Sequence, residues 1–133
     1  MKKRVMVSVG VALWWAAVPT SAHHSFAAEF DTSKPVMLKG TLTRLEWVNP
    51  HGWLHIDVKR PDGKVESWAI EAGGASALLR AGIRKTDFAI GTELTVEGFR
   101  ATNGSNTAAG RSVKTTDGRN FLVAGTQQLG GPQ

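Results

Sequence analysis

From residue 36 onward, apolar and polar positions mostly alternate, which is the period of half-buried strands rather than of a helix. Segment 53–60 (WLHIDVKR) is the clearest case: Leu54, Ile56 and Val58 share one face, and Trp53, His55 and Asp57 share the other. Segment 36–48 (VMLKGTLTRLEWV) keeps Leu38, Gly40 and Leu42 on one parity and then shifts to Leu45 and Trp47. A bulge or sharp bend is therefore expected between Gly40 and Arg44. Segment 64–71 (KVESWAIE) reads as a third strand, with Val65 and Trp68 on different parities and the register left open. Segment 92–100 (TELTVEGFR) puts Leu94 and Val96 inward, and shorter strands are expected at 111–115 and 120–123.

The punctuation between these runs is turn chemistry. Asn49-Pro50-His51-Gly52, Pro61-Asp62-Gly63, Asn103-Gly104-Ser105 and Asp117-Gly118 each combine residues that fix or free the backbone where the chain reverses. Residues 75–82 (ASALLRAG) form the one predicted short helix, stopped by Gly82. The order strand, strand, strand, helix, strand, strand, with a possible sixth strand, is that of a small OB-like Greek-key barrel. In that fold a short helix lies between strands 3 and 4. A small open β-sandwich is the alternative. Residues 23–35 read as an extended arm pinned by Phe26 and Phe30, residues 36–124 as the β domain, and residues 125–133 as a flexible tail.

The first 22 residues follow a different logic. Lys2, Lys3 and Arg4 precede a 14-residue apolar run at 5–18, then Pro19 and the small residues Thr20-Ser21-Ala22. That is the pattern of a cleaved export signal, and the run is shorter than the ~20 residues of a bilayer span. Removing residues 1–22 from 133 leaves 111, enough for one modest core. The same cut takes three of the 16 basic side chains and none of the 11 acidic ones, so the formal charge falls from +5 to +2. No basic stripe remains, which argues against a nucleic-acid partner. Cysteine is absent, so disulfides, thiolate metal sites and thiol nucleophiles are excluded. A small exported domain without disulfides fits a bacterial periplasm, as a monomer with no membrane span after processing.

Three stretches carry a resemblance: A-H-H-S-F at 22–26, K-G-T-L-T-R-L-E-W-V-N-P-H at 39–51, and E-L-T-V-E-G-F-R at 93–100. With them the chain resembles a family of small exported bacterial proteins of unknown function. The resemblance implies periplasmic location and a compact β-barrel-like domain, and it brings no reaction and no assigned site.

Candidate chemistry centres on histidine. Cleavage after Ala22 exposes His23 as the amino terminus with His24 beside it, so a free amine and two imidazoles adjoin. Nitrogen donors of this kind favour Cu(II), with Ni(II) and Zn(II) behind, and make a divalent transition metal the expected ligand. The arrangement resembles the amino-terminal histidine grip of copper monooxygenases. It departs from the terminal copper motif with histidine third, since that position is Ser25. His51, in a turn, is the expected third donor. His55 is a further candidate, but four residues of strand span ~13 Å, so His51 and His55 do not bind one ion together. Glu71 is expected either to supply a carboxylate ligand or to cap the helix that follows. Trp47, Trp53 and Trp68, on three consecutive strands, are candidates for an aromatic platform that takes a small ligand or a periplasmic partner protein; packing is the plainer role. No G-x-S-x-G, H-E-x-x-H or phosphate-loop ending occurs, so a binding protein is expected rather than an enzyme. A copper-dependent oxidoreductase is the enzymatic alternative.

Overall fold

The computed structural model describes residues 26–125 of the chain. Its longest strand, β1 (Phe30–Glu46), serves two neighbours in turn. Residues 30–41 pair with β4 (Glu93–Ala101), and residues 41–46 pair with β2 (His51–Lys59). The change of partner falls where the sequence loses its parity, with a register shift between Leu42 and Arg44. Gly40 sits just before it, where a Cβ would lie 2.7 Å from the carbonyl oxygen of Asp57. Only a residue without a side chain allows the two backbones to approach this closely.

β2 turns through Arg60–Lys64 into β3 (Val65–Gly73), and their antiparallel register runs unbroken from His51↔Gly73 to Lys59↔Val65. β5 (Thr107–Thr115) pairs antiparallel with β4 on one side. On the other it pairs in parallel with β3, from Ala69↔Thr107 to Glu71↔Ala109. That parallel seam closes the ring β1-β2-β3-β5-β4, and β6 (Asn120–Leu122) adds to β5. The helix α2 (Ala75–Arg80) and a 3₁₀ turn at Lys85–Asp87 lie between β3 and β4. This is the closed OB-type order. The closed ring excludes an open sandwich.

The period-two pattern fills the interior. Leu42, Leu54, Ile56, Trp68, Ile70, Leu94, Val96 and Val113 are buried in one cluster, capped by Leu78, Ile83 and Phe88. The Val65 and Trp68 ambiguity resolves in favour of Trp68, which is 5% exposed, whereas Val65 stands at the open end of β3 and is 60% exposed.

Two boundaries differ from expectation. The arm is not extended throughout: Phe26–Glu29 form one helical turn, α1, and β1 already begins at Phe30. Phe26 opens that turn and Phe30, just past it, opens β1. Their rings lie 5.3 Å apart, and Phe26 also meets Phe99 at 6.5 Å. β5 begins at Thr107 rather than near 111, because Ala108, Ala109 and Gly110 carry little strand propensity yet are buried at the seam.

The turn after β1 also holds the helix. Ser76 N–H donates to Asn49 Oδ1 at 3.0 Å, Asn49 Nδ2 donates to Ser76 Oγ at 2.9 Å, and Ala75 N–H donates to the Val48 carbonyl at 2.9 Å. Orphan amides at the start of α2 are thus satisfied from a distant turn. Glu71 does not cap this helix. Gly74, the N-cap residue, has no room for a side chain, since a Cβ there would collide with the Pro50 carbonyl and lie 2.7 Å from Asn49 Oδ1. N49A is expected to lower stability by about 1 kcal/mol, and G74A by about 2 kcal/mol or more. Urea unfolding of the two variants checks the order; equal midpoints to wild type show that this clasp is not needed.

Candidate functional site

Because side chains alternate along β2, Gly52, Leu54 and Ile56 turn inward and His51, Trp53, His55 and Asp57 form an outward row. Each histidine of that row meets its own carboxylate on a different neighbouring strand. His51 Nδ1 lies 2.7 Å from Glu71 Oε1 on β3. His55 Nε2 lies 2.8 Å from Glu46 Oε1 on β1, and Arg44 Nη2 is also 2.8 Å from that oxygen. The two histidines therefore belong to two clusters, as the strand spacing requires.

The His51 pair is asymmetric. Its imidazole is 38% exposed, and the Glu71 side chain only 13%. Burial pushes the Glu71 carboxyl above its ordinary range; the charge of His51 opposes the shift, and the charge of nearby Glu29 adds to it. An Nδ1–H donated to Glu71 leaves Nε2 as the lone-pair nitrogen, the way a carboxylate orients a histidine behind a metal. No protein group among the described residues is recorded on that Nε2.

Beside the pair is a cavity of about 490 Å³ lined by Glu29, Trp53, Glu71, Thr102, Asn103 and Thr107. Trp53 sits there because it faces Glu71 across the β2–β3 ladder. Glu29 is held by the β4 end: Thr102 N–H donates to the Glu29 carbonyl at 2.8 Å, and Thr102 Oγ1 donates to the Ala28 carbonyl at 3.0 Å. The wall is acidic and hydroxylated, with the rings of Trp53 and Phe30 beside it.

The three tryptophans do not form one platform. Trp68, opposite Ile56, points into the core, and Arg100 covers its ring at 5.2 Å. Trp47 lies past the end of β1 and packs on Phe88 at 6.5 Å. Only Trp53 lines the cavity, since one residue of parity separates the two faces of a sheet. His23 and His24 lie outside the described residues. Among the described residues no group of three or more histidine, aspartate or glutamate side chains is placed to hold a metal ion. Sequence reasoning missed Glu29 and the Thr102–Asn103 wall. No local spacing ties them to Glu71; only the closed ring does.

Glu71 sets a pH signature. Its carboxyl is raised in the fold from an ordinary 4.5, so the protonated form is the one that folding favours. The stability it contributes is complete below pH 4.5 and is lost as pH rises through the raised value. E71Q is expected to flatten that decline, read from urea melts between about pH 4 and pH 7. A decline of unchanged slope in E71Q places its origin elsewhere.

No curated protein and no solved structure matches the chain. A family model does match, over residues 12–111, three quarters of the sequence. The chain thus belongs to the family of unknown function DUF6152.

Proposed function

We propose that this is an exported, periplasmic binding domain that holds a divalent transition metal, Cu(II) above all, through its processed amino terminus and His51. The observation that carries the reading is the 2.7 Å contact between His51 Nδ1 and buried Glu71. It supports an imidazole held in one orientation with Nε2 available as a donor. In this reading Glu71 orients a ligand and is not itself one, and His55, engaged by Glu46 and Arg44, takes no part.

The remaining donors come from the signal cut. The amine and imidazole of His23 chelate together, and His24 follows. Phe26, two positions after His24 in the sequence, opens the helical turn that carries Ala28 and Glu29 into the wall shared with Glu71. The carboxylates of Glu29 and Glu71 favour a cation on this side of the barrel. Nitrogen donors without thiolate or thioether favour Cu(II) over Zn(II).

Mass spectrometry of the exported protein is expected to find His23 first. Isothermal titration of that form is expected to show Cu(II) bound more tightly than Zn(II). One extra residue ahead of His23 is expected to weaken Cu(II) binding strongly, and E71A about tenfold through loss of the orienting contact. Equal affinity in the extended form removes the terminal amine from the site, and a first residue beyond position 24 removes the site altogether.

A further inference from the structure

We infer that a second cavity, lined by the opposite end of β1 from Phe30 of the acidic wall, binds a small amphipathic monoanion: a carboxylate carrying an aryl ring or a short alkyl chain. The cavity measures about 500 Å³, within the range of small-molecule sites. Thr43, Arg44 and Leu45 form one wall, and Lys85, Phe88 and Ile90 the other.

The fold builds each wall for a reason. The register shift between Leu42 and Arg44 makes Thr43 an extra residue, which breaks the β1–β2 ladder and opens the strand beside the barrel end. Across from it, Phe88 is 3% exposed and fixed from behind by Phe121 at 5.1 Å and Trp47 at 6.5 Å. It is a rigid floor. Ile90 is 59% exposed, an apolar side chain left at the rim. Leu45 completes an apolar lining that suits a ring or a short chain.

Charge selects the other end of the ligand. Neither wall carries an acidic side chain. Asp87, the acid nearest Lys85 in sequence, is committed to Arg119 Nη1 at 2.7 Å and to the Arg84 N–H at 2.7 Å. No carboxylate is recorded on Lys85 among the described residues. Arg44 uses Nη2 on Glu46 and His55, which leaves other guanidinium N–H groups available. An ammonium and a guanidinium among the lining of a largely apolar slot attract an anion and repel a cation. The acidic cavity beside Glu71 has the opposite preference, so this site stands apart from the metal reading and does not depend on it.

The test is titration of the ¹⁵N-labelled processed chain with 3-phenylpropionate, read by amide chemical shifts. Saturable shifts are expected at residues 43–45 and 85–90. Acetate, which lacks the apolar part, and hexylammonium, of opposite charge, are expected to produce none there. K85E is expected to weaken binding about tenfold, whereas K64E, the same charge change on the β2–β3 hairpin, leaves it unchanged. I90S is expected to weaken it about threefold, through lost apolar contact alone. Equal losses in K85E and K64E, equal shifts with hexylammonium, or shifts that do not saturate overturn the assignment.

Discussion

The barrel depends on how closely three backbones approach at the seam where β3 meets β5. A Cβ at Gly98 would collide with the Ala109 carbonyl, and one at Gly110 would lie 2.8 Å from Ile70 Cγ2. Ala108 and Ala109 between them are fully buried. Any larger side chain in this run separates β5 from β3 or from β4, and the ring then opens into a sheet with exposed edges. Small residues here are not weak strand formers tolerated by the fold. They are the condition for closure.

The candidate site inherits its geometry from that seam. Glu71 pairs with Ala109 within it, so the carboxylate is held from below by the least adjustable part of the ring. Its neighbour across β2 is Trp53, and the β4 end that holds Glu29 through Thr102 borders the same cavity. Residues from α1, β2, β3 and β4 converge there only because the ring is closed. A shift of one residue in the β2–β3 register exchanges the outward row His51, Trp53, His55 for Gly52, Leu54, Ile56, which abolishes both histidine clusters and the core at once.

Much of this was legible in the chain, and the reasons differ by element. The β2 pattern fixed its own inward and outward faces, because alternation is a direct consequence of strand geometry. The lost parity after Leu42 announced the bulge, and Gly40 marked the close approach beside it. The start of β5 was hidden, since Ala108, Ala109 and Gly110 score as poor strand residues and their role is set by what lies across the seam. The tryptophans misled for a related reason. Strand order alone does not say which parity of β1 or β3 faces inward, and Trp68 and Trp53 take opposite sides. The position of Glu71 in the chain allows a ligand or a helix cap; Asn49 takes the second role instead, from a turn 26 residues earlier than Ala75.

The division of the two histidines between two carboxylates also limits what this face of the barrel can do. His55 is 24% exposed, and Arg44 and Glu46 close around the same nitrogen, so an ion there must displace an existing network. His51 has the reverse arrangement: its carboxylate is the buried partner, and its imidazole the exposed one. An ion that meets the His51 ring from solvent breaks nothing, and its positive charge offsets the unfavourable proximity of Glu71 to Glu29. Of the two His–Glu pairs that β2 makes with its neighbours, the proposed cation site takes the one whose acid rather than base is the more buried partner.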